Sequence, residues 1–262
     1  MSVPIPVPDP VRAAAAGYAW VPATDGESGG AVFRLEAPHR RALYLKCGVG
    51  RVADDVTAEM VRLEWLAGRL PVPEVLQFVR SPGEAYLLTT AVPGRSAYDC
   101  LVAQPERREA IVTALARFLR TLHGLPLREC PFHAGHELRL ADARRNLDAG
   151  RVDVSDFDAA REGWTAARVW DAMMALLPLS FARVVTHGDF SLGNVLLQDG
   201  RVTGCIDVGR LGAADPYQDL AVLWENLGEF GTAAQRALWR AYGVATPDER
   251  KLRFHLCLDE FF

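Results

Sequence analysis

The sequence predicts a two-lobed α+β fold, and three observations carry that expectation. The first 90 residues hold short apolar runs between turn residues, with one amphipathic helix among them. Residues 91–98 read as a connector, and helical periodicity dominates residues 99–262. The strands come first. "AVFRLEA" (31–37) and "RALYLKCGV" (41–49) are apolar runs turned by "PHR". A helix is expected over 55–70, where Val56, Met60, Leu63, Ala67 and Leu70 recur at three- and four-residue steps. "LPVPEVLQFV" and "EAYLLTTAV" read as two further strands, with "SPGE" as the turn between them. Beyond the connector, the stripe Ile111, Leu115, Phe118 and Leu122 stops at Gly124, a C-cap signal. Further helices are expected over 138–147 and 164–177. Asp215-Pro216 marks the start of another, running to about Leu227, and two more cover 232–242 and 247–262.

Composition narrows the function classes. Of the 262 residues, 50% are hydrophobic and 24% charged, which is the balance of a folded chain and not of a disordered one. A net charge of −4 argues against a nucleic-acid partner. The five cysteines are scattered without CxxC spacing, so reduced thiols are expected, with no disulfide framework or zinc site. "MSVPIPVPDPVR" shows no basic stretch followed by an apolar run, and no apolar run reaches membrane-span length. The expected location is the cytoplasm, with no membrane partner. Lys46 and Lys251 are the two lysines among 29 basic residues, which draws attention to Lys46 at the end of the apolar "LYLK".

No GxxxxGK[ST] occurs, so a P-loop is excluded. "TDGESGGAVF" (24–33) is a Gly/Ser turn that serves either as a plain hairpin or as a cradle of backbone N–H groups for phosphate. Lys46 on a strand and Glu59 on the following helix, 13 residues on, have the arrangement by which protein kinases hold nucleotide phosphates. His187-Gly188-Asp189 followed by Asn194 has the Asp-x4-Asn spacing of the kinase catalytic loop. Asp189 is then placed to accept a hydroxyl proton and Asn194 to reach a magnesium ion. "VTGCIDVGR" sets Asp207 after an apolar strand, where kinases carry a second metal-binding aspartate. Turn and cap chemistry also uses Asp-Gly and Gly-Asn segments. It does not account for three such residues at this spacing, downstream of a Lys/Glu pair in the right order.

With those residues in hand, the chain resembles the aminoglycoside phosphotransferases, particularly the 3′-kinases of kanamycin and neomycin. The motifs are "LYLK", "EWLAGRLPVPEVL", "VVTHGDFSLGNVLL", "VTGCIDVGRLGAADPYQDLA" and the terminal "LCLDEFF". The resemblance runs from about Tyr18 to Phe262, and "IDVGRLG" with "DEFF" is its most specific part. It implies a protein-kinase-like fold: a nucleotide-binding lobe over 1–90, a hinge over 91–98, and a lobe over 99–262 carrying the catalytic loop, metal site and drug site. It implies Asp189 as the catalytic residue, also touching substrate, with Asn194 and Asp207 as Mg2+ ligands. Lys46 would hold the phosphates of ATP or GTP, positioned by Glu59, and Ser28 would lie in the loop that covers them. Tyr44 would stack on the base, whose edge would meet the backbone from Thr90 to Val92. Arg210 would shape the substrate end, while Asp259, Glu260 and the carboxylate of Phe262 would meet the ammonium groups of the drug.

The segment with Asp153, Asp156, Asp158 and Glu162 is a second acidic candidate, either a substrate lid or a solvated helix face. His187 is expected to support the loop by hydrogen bonding. Gly193 departs from relatives that carry an acidic residue or proline there. The expected state is a monomer or weak homodimer. Two alternatives remain at this stage: the same chemistry on another small-molecule hydroxyl, and a nucleotide-binding scaffold without activity. The second predicts damage at Lys46, Asp189, Asn194 or Asp207, and all four are intact.

Overall fold

Alternation along the strands decides which side chains the first unit buries. The computed structural model describes residues 5–23 and 30–262. In chain order it begins with α1 (Asp9–Ala14), β1 (Ala19–Pro22), β2 (Ala31–Glu36), β3 (Leu43–Val49), α2 (Arg51–Leu66), β4 (Val75–Ser81) and β5 (Glu84–Thr90). The strands form an antiparallel sheet in the order β1-β2-β3-β5-β4, with Lys46 registered against Val32 and Leu87. Phe33, Leu35, Leu43, Leu45 and Leu88 are buried with Val7, Val11 and Tyr18 in one core. Successive strand residues face opposite ways, so Tyr44 and Lys46 share the other face of β3.

The α2 helix begins and ends four residues earlier than its apolar stripe suggests. Gly50, at φ +58°, leads into it, and Ala67 leaves helical geometry at ψ 124°. Leu70 is buried from the following loop instead. The α1 helix and β1 strand are additions to the expected order. A proline in the first turn is compatible with α1 because its missing N–H has no helical partner there.

The second unit follows with β6 (Arg95–Ser96), α3 (Ala97–Ala103), α4 (Arg108–His123), α5 (His136–Asp148) and α6 (Ala166–Met174). Then come β7 (Val184–Thr186), the hairpin strands β8 (Val195–Gln198) and β9 (Arg201–Cys205), and β10 (Gly212–Ala214). The helices α7 (Tyr217–Gly228), α8 (Thr232–Tyr242) and α9 (Glu249–Asp259) complete it. Thus β7 and β10 pair antiparallel at the roots of the loops that carry the site. As expected, Asp215 caps α7, accepting from the Tyr217 N–H at 3.0 Å. Every residue of α7 from Tyr217 to Leu223 is buried, so even its polar positions lie inside the unit. A separate core joins Ala143, Val169, Met173, Phe254, Leu258 and Phe261.

The units divide at Gly94/Arg95, and residues 196–198 and 203–210 belong with the first. Close backbone approach ties the latter piece there. The Cys205 N–H donates to the Pro71 carbonyl at 3.1 Å, and a Cβ on Gly204 would sit 2.7 Å from that same oxygen. Asp207 therefore clusters with the first unit, although its sequence position is far into the second. The five cysteines are free thiols, and among the described residues no helix is long and apolar enough to cross a membrane.

Candidate active site

In the first unit, the half-buried face of β3 that carries Tyr44 and Lys46 faces one turn of α2, and the two elements pair through the Lys46 ammonium. Lys46 Nζ donates to both oxygens of Glu59 at 2.8 Å and to Asp207 Oδ1. Glu59 is 8% exposed, one of the few buried carboxylates among the described residues. Burial works to lower the pKa of the Lys46 ammonium. The charges and hydrogen bonds of Glu59 and Asp207 outweigh it and hold that pKa above its ordinary value. Asp207 takes φ +58°, the left-handed region that aspartate tolerates better than most residues. A short 3-10 turn over Val208–Arg210 follows, and Gly209 lies against the Glu59 Cβ. Lysine and glutamate thus form the expected pair, and Asp207, 161 residues from Lys46, joins them. Tyr44 is half-buried on the same strand face.

At the end of β5 the backbone is partly committed. The Thr90 N–H donates to Glu74 O at 3.0 Å and its hydroxyl accepts from the Glu74 N–H, while the Ala91 N–H donates to Ala42 O. Val92 is the next residue whose N–H can meet a ligand. Ser28 lies outside the described residues.

In the second unit, the loop after β7 is held by side chains from several helices. The His187 and Gly188 N–H groups donate to Asp219 at 2.7 and 2.8 Å, one to each carboxylate oxygen. His123 Nε2 lies 2.9 Å from the first of those oxygens, and His123 Nδ1 lies 2.7 Å from the Tyr242 hydroxyl. Asp219 is fully buried. Burial works to raise its pKa, but the hydrogen bonds and charges of His123 and His187 prevail and hold it below the usual carboxylate value. Burial and the nearby Asp219 charge push the Tyr242 hydroxyl up to about 12.

Gly188 sits at φ +91°, a conformation suited to glycine. The Asp189 N–H then donates to His187 Nδ1 at 3.3 Å, so this histidine braces the loop, as expected. Phe190 is fully buried and stacks on Phe118. Asn194 Nδ2 donates to both the carbonyl and the carboxylate Oδ2 of Asp189 at 3.1 Å. With that nitrogen committed, the Asn194 amide oxygen is the atom left to meet a ligand.

The Asp259 and Glu260 side chains are already engaged. Arg139 Nη2 lies 3.5 Å from Asp259 Oδ1, and its guanidinium stacks 4.4 Å above the Phe262 ring. Glu260 is 8% exposed at its side chain and accepts from Arg161 Nε at 2.6 Å and from the Asp158 N–H at 3.2 Å. Arg161 also pairs with Asp158 and is itself buried. Burial raises the Glu260 pKa against the pull of Arg161. Burial likewise raises that of Glu225 on α7, aided by the charge of Asp158. The segment around Asp153 is a series of turns, not a helix: Asp153 accepts from the Ser155 N–H and hydroxyl, and Asp158 from the Ala160 and Arg161 N–H groups. Arg210 is exposed at the end of its 3-10 turn.

Sequence reasoning did not single out Asp219, Arg139 or Arg161. Asp219 had a signal, because it lies inside the quoted "ADPYQDLA" motif. The two arginines had none.

Comparison with known proteins agrees with this geometry. Residues 20–255 match the family model described as "Phosphotransferase enzyme family". An aminoglycoside 3′-phosphotransferase from Escherichia coli is 52% identical over 262 residues, spanning 98% of this chain and 95% of that protein. The crystal structure of an aminoglycoside-3′-phosphotransferase of type VIII is 35% identical, with a TM-score of 0.85 and 97% of each chain covered. An aminoglycoside phosphotransferase from Streptomyces rimosus, solved in complex with ADP and streptomycin, is 29% identical with a TM-score of 0.81 over 96% of this chain and 95% of that one. The chain therefore belongs to the phosphotransferase enzyme family, among the aminoglycoside 3′-phosphotransferases.

Proposed function

We propose that this protein transfers the γ-phosphoryl group of ATP to the 3′-hydroxyl of kanamycin- and neomycin-type aminoglycosides, and so confers resistance to them. The observation that carries the phosphotransfer reading is the Lys46–Glu59–Asp207 cluster. A lysine in that setting stays an ammonium at neutral pH, and Glu59 fixes where it points. Lys46 then grips nucleotide phosphate oxygens by exchanging its Asp207 contact while Glu59 keeps its two-oxygen hold. Tyr44, on the same strand face, stacks on the base, and the Val92 N–H meets its edge. Ser28 belongs to the phosphate-covering turn in this reading.

The donor set fits magnesium. The Asn194 amide oxygen remains once its nitrogen is bound to Asp189, and Asp207 offers its second carboxylate oxygen; both are the hard oxygen ligands that Mg2+ takes beside phosphates. Bound there, the ion supplies charge neutralisation on the transferring phosphoryl group. The Asp189 carboxylate, held by Asn194 and by the braced loop, orients the acceptor hydroxyl in line and takes its proton. The new bond joins that oxygen to the γ-phosphorus, the bond to the bridging oxygen breaks, and ADP leaves.

On the acceptor side, a polycationic drug calls for carboxylates. Asp259 meets its ammonium groups directly, with Phe262 beside it and Arg210 bordering the substrate end. Glu260 contributes to the same site while bonded to Arg161, tying residues 158–161 to the C-terminal segment. The aminoglycoside acceptor is supported by the naming of relatives at about half identity over nearly the whole chain. The test is magnesium-dependent ADP release with kanamycin and neomycin, which carry a 3′-hydroxyl, against tobramycin and gentamicin, which lack it, with Asp189→Asn as blank. Turnover with the first pair alone, lost in the variant, is expected. Turnover with all four would move the reaction to another hydroxyl, and none with any drug would refute the acceptor assignment.

A further inference from the structure

The catalytic-loop peptide that leads into Asp189 is gripped from both edges. Its N–H, on Asp189, donates to His187 Nδ1 at 3.3 Å. Its carbonyl, on Gly188, accepts from Arg139 Nη1 at 3.0 Å. The two preceding N–H groups are both held by Asp219. Arg139 is 8% exposed; its Nη1 also donates to the Gln218 amide oxygen at 3.0 Å, its Nη2 lies toward Asp259, and its flat face lies over the Phe262 ring. Asp259 is 41% exposed at its side chain and Phe262 is 40% exposed, so both can be reached from solvent.

A guanidinium is planar and rigid, with donors fixed in a fork. A displacement at one side of it is therefore a displacement at the other. The geometry points to Arg139 as a positioning residue that couples occupancy of the C-terminal segment to the orientation of the Asp189 peptide. This rests on the reading that Asp259 and Phe262 meet the acceptor. When an acceptor cation settles against Asp259 and Phe262, it shares the Asp259 carboxylate with the guanidinium and resets where that guanidinium lies, and the carbonyl the guanidinium grips fixes the plane from which the Asp189 side chain projects. Acceptor contacts far along the sequence are thereby realised in kcat as well as in KM. A purely structural arginine would affect folding and leave that split untouched.

The discriminating variants are Arg139→Lys, Phe262→Ala and the two combined. Lysine keeps the charge and can still donate to Gly188 O, but it cannot span to Asp259 or lie flat on the Phe262 ring. Arg139→Lys is expected to lower kcat for kanamycin about tenfold, within the range that a sub-ångström misplacement costs, while the ATP KM and the melting temperature stay near wild type. Phe262→Ala should lower kcat in the Arg139 background and have little further effect on kcat in the Arg139→Lys background, because its influence travels through the fork.

Independent, multiplying effects on kcat would overturn the coupling, as would a normal kcat in Arg139→Lys or a loss that only follows melting temperature. Amide hydrogen exchange at residues 187–190 gives a second readout that needs no turnover. Phe262→Ala should lower protection there only when Arg139 is present, and equal lowering in both backgrounds overturns the proposal. A wild-type protein inactive on every aminoglycoside refutes the acceptor assignment separately, and exchange still decides whether Arg139 couples the two segments.

Discussion

Replacing Asp219 by asparagine tests whether the catalytic loop owes its shape to that one buried carboxylate. The two oxygens accept three hydrogen bonds, from the His187 N–H, the Gly188 N–H and His123 Nε2. An asparagine of the same shape, turned to place its oxygen at the doubly bonded position, keeps two of the three. Those two become neutral bonds, each weaker by about 1 kcal/mol than a bond to a charged acceptor. The Gly188 N–H then faces an NH2 group, and a buried donor left without an acceptor costs about 1–3 kcal/mol. Relief from burying a charge offsets part of this, leaving an expected loss of roughly 3 kcal/mol. For a chain of this size that lowers the melting temperature by about 6–12 °C.

Activity should fall too, because the freed N–H belongs to the residue before Asp189; a kcat loss of about 10–100-fold is expected from the displaced side chain. The acid limb supplies the sign. The Asp219 pKa is depressed below 3.8, so its contribution is present above that value and fades as pH falls through the lower folded pKa. The gap between wild type and variant should therefore be full at pH 6 and narrow below about pH 4. Melting curves at pH 6 and pH 3.5, with steady-state rates at pH 7, measure all three effects. A variant that melts within 2 °C of wild type at pH 6, with a normal kcat, would refute the claim that Asp219 holds the loop.

Three further outcomes follow from the same geometry. Glu59→Gln should weaken nucleotide binding and lower stability below pH 10.5. That stability gap to wild type should shrink as pH rises through the raised Lys46 pKa; a gap unchanged at pH 11 would show that the pair does not titrate as a unit. Gly204→Ala places a methyl 2.7 Å from Pro71 O and 3.1 Å from Val92 Cγ1, so a loss of about 1–3 kcal/mol in urea unfolding is expected, and an unchanged midpoint would contradict the close approach. Arg161→Met leaves the buried Glu260 without its cation and should cost about 3–5 kcal/mol, most of it restored in the double variant with Glu260→Gln; additive losses in the two variants would argue against a shared ion pair.

The sequence made the chemistry legible where function fixes a spacing. Lys46 and Glu59 lie 13 residues apart because one strand, one turn and two helical turns bring them face to face, and that local count can be read from the chain. Asp189 and Asn194 meet across a single turn, in which the Asn194 N–H donates to Ser191 O. Helix limits were less legible, since an apolar stripe reports which residues are buried and not where helical dihedrals stop. Leu70 satisfies the stripe of α2 from the loop beyond it. Charged residues inside the protein were the least legible. Arg139 is one of three arginines in α5, and Arg144 and Arg145 are exposed beside acidic neighbours. Only the tertiary placement of Gly188 and Asp259 sets Arg139 apart from them.

That contrast follows from how an irregular loop is made rigid. Residues 187–190 have no ladder to hold them, so their backbone groups take partners from side chains elsewhere: Asp219 of α7, itself backed by His123 of α4, and Arg139 of α5. Three helices thus fix three successive peptide units, and each does so with a charged or titratable group whose burial costs free energy unless its partners are in place. The carboxylate and the guanidinium take different backbone groups of the loop, one N–H groups and the other a carbonyl, so neither can replace the other. In the proposed reaction Asp189 needs this frame, because a side chain that has to meet both a hydroxyl and Asn194 loses rate with small displacements. The residue proposed to do the chemistry advertises itself in a short motif, while part of its precision is supplied by Arg139, whose sequence neighbourhood says nothing about it.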